Sequence, residues 1–520
     1  MTTLASKASA ETATAHQSPP AQTARAQDDA GTARTVASRF IILLLCLAVV
    51  FSTLAFGTVH SWSLAIFYMS AALVAVCWVA DAWRTRRLRF SRNLLQLPLV
   101  GLVLVGFVQL LPLGNAEAEG ASILRLVTTH TLSLDPYATR FVLVELLPIL
   151  VYFAAALTFI DSPKRLRLVV RTIIIFGCAL AILSLMLSVI APNRVFGVRE
   201  MRQAQGFGPF INRHHFAGYM ELALALPLGL LFAGAVERER RLLYIFAAAI
   251  MGIALVLTNS RGGMIALVAE IMFVVLMSGV AGRRSSGSGS RDAEEDEGRG
   301  ARLRRLALRA ALGFALVVAL FVGVVLFGGE DALNRLVGTV NSEDPTTGRL
   351  HFWRGALEII RDHPLLGVGL GAFGVAYSRY DLGNGKLFRL EQAHNDYLQV
   401  LSDAGVVGAL LGLFFVVMLF RTGLRRMQSN SSFRRGVALG ALTGCFAVLV
   451  HSFFDFTLHT TANALLFLLL AAFATLNGRV EHTHRRRARR RSSTSAVREA
   501  TPTPALETAD AATTPPAVES

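Results

Sequence analysis

Long apolar blocks, each of roughly 18–22 residues, constrain this chain more than any other feature of its sequence. A helix of about 20 residues crosses the hydrocarbon of a bilayer, and inside lipid every backbone amide must be satisfied within its own segment. Composition agrees, because 53% of the residues are hydrophobic and only 17% are charged, whereas soluble domains carry about a quarter charged residues. The sequence therefore predicts an all-α polytopic membrane protein.

Twelve blocks are predicted to be transmembrane spans. They cover residues 40–57, 61–80, 94–113, 141–160, 172–191, 216–235, 242–258, 263–281, 309–328, 403–420, 436–455 and 461–477. The predicted organisation has spans 1–8 within residues 38–281 and spans 9–12 within residues 309–478. Residues 282–308 are predicted to form a flexible charged cytoplasmic linker, and residues 1–37 and 479–520 to be disordered tails.

Basic residues cluster where the even-numbered spans end. Arg84, Arg86 and Arg87 follow the second span, and Arg425 and Arg426 follow the tenth. Short positively charged loops stay in the cytoplasm, so both termini are predicted to be cytoplasmic. The net charge of +16 is explained by this pattern and by contact with anionic membrane lipids, and we predict no nucleic-acid partner.

The longest polar segment outside the tails, residues 329–402, connects spans 9 and 10 on the predicted outer (periplasmic) side. A loop of that length is more often functional or folded than a simple connector. Four of its apolar residues recur at helical spacing: Leu350, Trp353, Leu357 and Ile360. They predict an amphipathic helix that ends at His363-Pro364.

A glycine-rich stretch in the same loop, residues 369–374, matches the pattern of a dinucleotide-binding turn. That turn follows a strand and opens a helix in a βαβ unit, and no strand is predicted here. We interpret these glycines as a tight, closely packed turn, and we predict no cofactor.

Three residues at the predicted outer side are candidates for chemistry. Arg213 and Arg261 lie at span ends, where a guanidinium group needs an anionic partner and its planar fork suits a phosphate or diphosphate. His394 lies just before the tenth span, and an imidazole is able to take a proton near neutral pH. A surface or capping role for His394 is the alternative. No His, Cys or carboxylate spacing typical of a metal site is present, so we predict no metal.

Three acidic residues fall inside predicted spans: Glu145, Glu221 and Glu270. An intramembrane carboxylate often marks a proton or ion path. A transporter of small anions therefore stays open as an alternative function.

Several segments together resemble the O-antigen ligase/polymerase superfamily. They are Asn212-Arg213-His214-His215-Phe216-Ala217, Ser260-Arg261-Gly262-Gly263, Gly348-Arg349 with Trp353, His363 to Gly371, Ala393-His394-Asn395-Asp396-Tyr397-Leu398-Gln399, and Asp403 to Gly408. The combination is specific, although each piece alone is weak.

The resemblance implies a glycosyltransferase of the bacterial inner membrane that serves cell-envelope polysaccharide or lipopolysaccharide biosynthesis. Its donor would be a glycan on a polyprenyl (undecaprenyl) diphosphate, and its acceptor lipid A-core, another glycan or, in a protein O-oligosaccharyltransferase, a protein hydroxyl. The implied mechanism is metal-independent and inverting. By the same resemblance His394 would deprotonate or orient the acceptor hydroxyl, while Arg213, Arg261 and, as a third candidate, Arg349 would hold the diphosphate.

Overall fold

The structure is a computed structural model that describes residues 35–113, 131–192, 194–200, 205–281, 349–380 and 390–476. Its helices are α1 (Val36–Leu54), α2 (Ser61–Thr85), α3 (Gln96–Gln109), α4 (Pro136–Phe159), α5 (Pro163–Ile190), α6 (Arg213–Phe232), α7 (Arg241–Leu257), α8 (Arg261–Ala281), α9 (Arg349–Asp362), α10 (Phe373–Tyr377), α11 (Asp396–Arg426), α12 (Ser432–His451) and α13 (Thr461–Thr475). Strands β1 (Arg194–Val195) and β2 (Arg199–Glu200) pair antiparallel. Two 3₁₀ turns lie at Arg238–Arg240 and Thr457–His459.

Nine helices in the described ranges are long and apolar enough to cross a membrane. This confirms a mostly helical, multi-pass membrane protein. Nearly all of the predicted N-terminal tail, the linker 282–308, the ninth span at 309–328, the loop residues 329–348 and the tail 479–520 lie outside the described residues.

Two predicted spans correspond to helices that are shorter than predicted. Helix α3 has 14 residues and α13 has 15, which gives lengths of about 21–23 Å at 1.5 Å per residue. At the end of α3, the carbonyl of Gln109 accepts a hydrogen bond from the amide of Ser133 at 2.8 Å. At the end of α13, the buried guanidinium of Arg434 donates to the carbonyls of Phe473 and Leu476 at 2.6 and 3.1 Å. These partners satisfy the carbonyls that a longer helix would have used.

Helix α6 lies at the centre of the bundle. It is buried on all sides, and it packs closely against α12, which is itself mostly buried. Small residues allow this approach: a methyl group added to Gly229 would collide with the backbone of Gly440. Close packing through glycine replaces the hydrophobic driving force that helices lack inside lipid. The α6–α12 pair carries two segments of the site described below.

Polar contacts between helices gather in two layers at opposite ends of the bundle. One layer lies at the end of the bundle that carries the basic segments following the even-numbered spans. There Asp81 forms an ion pair with Arg89 at 2.6 Å, and Arg165 donates a hydrogen bond to Ser38 at 2.6 Å. The other layer contains the first residues of α6, α8, α11 and α13 and the last residue of α12. Since α12 has 20 residues, it separates its two ends by about 30 Å. The candidate residues therefore lie far from the basic layer.

The described part of the long loop contains the predicted amphipathic helix. Helix α9 ends at Asp362, immediately before His363-Pro364, as predicted. Its buried face differs from the prediction: Gly355, Ala356 and Ile359 are buried, whereas Leu350 and Leu357 are exposed. This face packs on α10 because residues Phe373, Ala376 and Tyr377 form one apolar cluster with it.

The glycine-rich stretch is a close-packed turn, as interpreted from the sequence. Gly369 and Gly371 have φ values of 117° and 75°, which glycine adopts without steric penalty. A methyl group at Gly369 would collide with the hydroxyl of Ser133. The stretch leads into α10, and no strand precedes it among residues 349–368.

Candidate active site

Asp455 is the centre of the candidate site. It follows α12 in the turn that joins α12 to α13, and its side chain is 1% exposed. Its Oδ1 lies 3.2 Å from Nδ1 of His394, and its Oδ2 lies 3.5 Å from a guanidinium nitrogen of Arg349. Nδ1 of His214 is 3.8 Å from the same Oδ2. One buried carboxylate thus connects residues from four segments of the chain.

His394 is held in place by its neighbours on both sides. The side chain of Asn395 caps α11 by accepting hydrogen bonds from the amides of Tyr397 and Leu398 at 3.0 and 3.1 Å. The amide of Ala393 donates to Gln399 Oε1 at 2.7 Å. Between these anchors His394 has a φ of 51°, a left-handed conformation that is strained for a residue with a side chain and that recurs at active sites.

The ring of His394 lies between two aromatic side chains. Phe352 of α9 is stacked with it at 6.1 Å between centroids, and Phe456 meets it edge-on at 4.8 Å. With Nδ1 directed to Asp455, Nε2 has no hydrogen-bond partner in the part of the chain that the structure describes. The ring is therefore fixed in orientation with one nitrogen open for chemistry, although its side chain is only 27% exposed.

Hydrogen bonds join the His394 segment directly to the Asp455 turn. The amide of Asp396 donates to the carbonyl of Ser452 at 2.9 Å, and the hydroxyl of Ser452 donates to Asp396 Oδ2 at 2.7 Å. The side-chain amide of Asn395 donates to the carbonyl of Phe453 at 3.2 Å. The His394–Asp455 geometry is thus supported by three hydrogen bonds between the start of α11 and the turn that follows α12.

Arg349, the first residue of α9, is engaged on the same turn. Besides its contact with Asp455, its guanidinium donates a hydrogen bond to the carbonyl of Phe454. This places a cation from the long loop directly beside the carboxylate that holds His394.

Arg213 and Arg261 are the first residues of α6 and α8. Their neighbours are in contact, since Nδ1 of His214 lies 2.8 Å from the hydroxyl of Ser260. One guanidinium nitrogen of Arg261 is buried without a hydrogen-bond partner among the described residues. Helix N-termini carry partial positive charge. Two such termini that both begin with arginine form a setting suited to an anion such as a phosphate.

The electrostatics of Asp455 follow from these contacts. Burial, the largest influence, raises the pKa of a carboxyl group, but here the hydrogen bond from His394 and the electrostatic influence of His214 and Arg349 outweigh it. The pKa of Asp455 consequently lies well below its ordinary range. Asp455 is therefore ionised at neutral pH.

The structure brings all four residues singled out from the sequence to the same end of the bundle. His394 and Arg349 contact Asp455 directly, and Arg213 and Arg261 adjoin His214 and Ser260. No group of three His, Cys, Asp or Glu side chains in the described ranges is arranged to hold a metal ion.

Asp455 itself was not predicted from the sequence. Hydropathy placed it at the last position of the predicted span 436–455, whereas α12 ends at His451 and Asp455 lies in the following turn. A charged residue at the predicted outer end of an odd-numbered span was the signal that could have found it, by the same argument that drew attention to Arg213 and Arg261.

Comparison with known proteins agrees with the motifs. Residues 246–413 match the model of the O-antigen ligase family. The exopolysaccharide production protein ExoQ of Rhizobium meliloti (strain 1021) is 27% identical over 135 residues, which are 24% of this chain and 29% of that protein. The chain thus matches less than a third of the length of this curated relative.

These matches confirm the resemblance to the O-antigen ligase-related family that the motifs predicted. The matched segment contains Arg261, Arg349 and His394, while Arg213 and Asp455 lie outside it. Polysaccharide biosynthesis is the general function that the two comparisons support.

Proposed function

We propose that this protein is a membrane glycosyltransferase that moves a glycan from a polyprenyl diphosphate carrier to an acceptor hydroxyl at the outer face of the bacterial inner membrane. The observation that carries the proposal is the His394–Asp455 pair, which lies in one cluster with two helix N-termini that begin with Arg213 and Arg261. A general base beside an anion-binding setting suits a reaction in which a hydroxyl attacks and a diphosphate leaves.

In the proposed step, Nε2 of His394 accepts the proton of the acceptor hydroxyl. The hydroxyl oxygen bonds to the anomeric carbon of the donor glycan from the side opposite the diphosphate, so the configuration inverts. The bond between that carbon and the diphosphate oxygen breaks, and its electron pair stays on the polyprenyl diphosphate. Asp455 stabilises the imidazolium that forms, in the manner of an acid–base–carboxylate triad.

The arginines act on the leaving group. Arg213 and Arg261 bind the diphosphate and stabilise the negative charge that accumulates on it as the bond breaks. Arg349 contributes positive charge at the same turn while it holds Asp455 and the carbonyl of Phe454. No metal is needed for this division of roles, since the guanidinium groups supply the positive charge.

We further propose that the acceptor is a growing polysaccharide, as in polymerases. The named relative is an exopolysaccharide production protein, which favours this acceptor. Transfer to lipid A-core or to a protein hydroxyl are the alternatives, and the surface glycans distinguish them: loss of long chains on lipid A-core indicates a ligase, and accumulation of single repeats indicates a polymerase.

The test is complementation of a deletion strain with the His394→Ala variant. Loss of a general base lowers the transfer rate by roughly 10²- to 10⁴-fold, so the variant should restore no long surface glycan although it is inserted in the membrane at wild-type abundance. Full restoration by His394→Ala would contradict the assignment.

A transporter of small anions is the second candidate, because Glu270 is buried within the bundle and neither of its carboxylate oxygens has a hydrogen-bond partner among the described residues. Anion uptake by the purified protein in liposomes that is lost in Glu270→Gln, together with normal surface glycans in that variant, would favour transport over transfer.

A further inference from the structure

Glu221 and His451 form a buried pair next to the candidate site. Both side chains are fully buried, Glu221 in α6 and His451 as the last residue of α12. Nδ1 of His451 lies 2.8 Å from Oε1 of Glu221. This hydrogen bond joins the two central helices at the level of the site.

The other side of the His451 ring rests against α8. A methyl group added to Gly262 would lie 2.8 Å from Cδ2 and 3.0 Å from Nε2 of His451. Glycine at position 262 therefore leaves space for the ring of His451. The residue before Gly262 is Arg261. The orientation of the His451 ring is thus coupled to the start of α8, where a guanidinium of the candidate site begins.

The backbone of His451 begins the turn that carries Asp455. Its carbonyl accepts hydrogen bonds from the amides of Phe454 at 2.8 Å and Asp455 at 3.1 Å. Asp455 in turn holds His394 and Arg349. A rotation or shift of His451 would consequently change the positions of both the general base, His394, and the start of α8.

Stability alone does not explain a pair of this kind. Replacing a buried ionic pair by apolar side chains of similar volume often leaves stability unchanged or increases it. A hydrogen bond of fixed direction, by contrast, selects one orientation of the histidine ring and of the helix end that bears it.

We propose that Glu221 and His451 are positioning residues for glycan transfer: their hydrogen bond, with the ring lodged against Gly262, sets the distance between the His394–Asp455 pair and the start of α8. The inference rests on the proposed function. Neither residue touches the reacting groups, so the pair acts only through the placement of Asp455 and Arg261.

Two substitutions at one position test the role. Glu221→Gln keeps an oxygen that accepts from Nδ1 of His451, and Glu221→Leu removes it. In a transfer assay with purified, monodisperse protein, we expect Glu221→Leu to lower kcat at least tenfold with KM for the donor changed less than threefold. Glu221→Gln should retain at least a third of the wild-type kcat.

Glu145→Leu is the matched control. Glu145 accepts a hydrogen bond at 2.8 Å from Thr461, the first residue of α13, within the same bundle. Its removal should leave kcat within twofold. Equal losses in Glu145→Leu and Glu221→Leu, or wild-type kcat in Glu221→Leu, would overturn the proposal.

A second measurement does not depend on glycan transfer. Diethyl pyrocarbonate modifies accessible imidazoles, and mass spectrometry reports the rate at His394. Because Glu221→Leu frees the Asp455 turn, modification of His394 should be at least threefold faster than in the wild type, and Glu221→Gln should react at the wild-type rate. An unchanged rate in Glu221→Leu would overturn the positioning role. If the wild type transfers no glycan, the proposed function fails, and the modification rates still decide whether the pair positions His394.

Discussion

The carboxylate of Asp455 accepts hydrogen bonds from His394 and Arg349 and lies near His214. Its contact with His394 decides the form of that imidazole. With Nδ1–H donating to the carboxylate, Nε2 carries the lone pair that a general base needs. Because the low pKa of Asp455 keeps the carboxylate ionised, it also stabilises the protonated ring after the proton has been taken. The carboxylate is therefore as important to the proposed base as the ring itself.

Replacing Asp455 by Asn tests this relation at the residue scale. A hydrogen bond to a charged group contributes about 1.5–3 kcal/mol, so transfer should fall roughly 10- to 100-fold at 1.4 kcal/mol per factor of ten. The measurement is kcat with purified protein.

Asp81→Asn is the control for this substitution. Asp81 is equally buried, but it pairs with Arg89 in the other polar layer of the bundle. Its replacement should lower the melting temperature and leave kcat of the folded protein unchanged. A wild-type kcat in Asp455→Asn would contradict the role of the carboxylate.

Helix α11 is interrupted at Gly405, and a segment of the long loop supplies hydrogen-bond partners for the backbone groups that the interruption frees. Gly405 has a φ of 63°. Around it the amide of Val406 donates to the carbonyl of Pro364 at 2.8 Å, and the amide of Val368 donates to the carbonyl of Ser402 at 2.9 Å. Backbone groups freed inside a membrane helix must find such partners. The interruption therefore ties the loop to α11, which begins beside His394.

Gly405→Ala should disrupt these hydrogen bonds between the loop and α11. Alanine is strained at positive φ by about 1–2 kcal/mol, and its methyl group would collide with the carbonyl of Leu365. We expect a clearly lower melting temperature in detergent. Gly412→Ala, in the same helix, adds a methyl group to open space and should leave the melting temperature unchanged or raise it, because alanine favours the helix. Equal melting temperatures for the two variants would contradict the role of Gly405.

Hydropathy and charge predicted the helices of this chain but not their interruptions. Eleven of the predicted spans coincide with described helices, since twenty apolar residues in lipid have few alternatives to a helix. The break in α11 could not be predicted, because Gly405 acts through a distant loop segment that supplies hydrogen bonds. The early ends of α3 and α13 depend in the same way on Ser133 and Arg434, which are remote in sequence.

For the candidate site as well, the sequence predicted individual residues but not how the whole molecule brings them together. Arg213, Arg261 and His394 could be selected because polar chemistry at the ends of apolar spans is unusual. Their assembly around Asp455 could not be predicted, since hydropathy does not encode which helix ends are neighbours. The packing of α6 against α12 brings these ends together, and that packing depends on small residues such as Gly229 and Gly440.

The most direct test of the account is reconstitution of the purified protein in liposomes with a polyprenyl-diphosphate-linked glycan and its acceptor. We predict that free polyprenyl diphosphate appears in equal amount to new glycosidic bonds of inverted configuration, and that both are abolished in His394→Ala. Glycan transfer at the wild-type rate by His394→Ala, or release of polyprenyl diphosphate without formation of a bond, would contradict it.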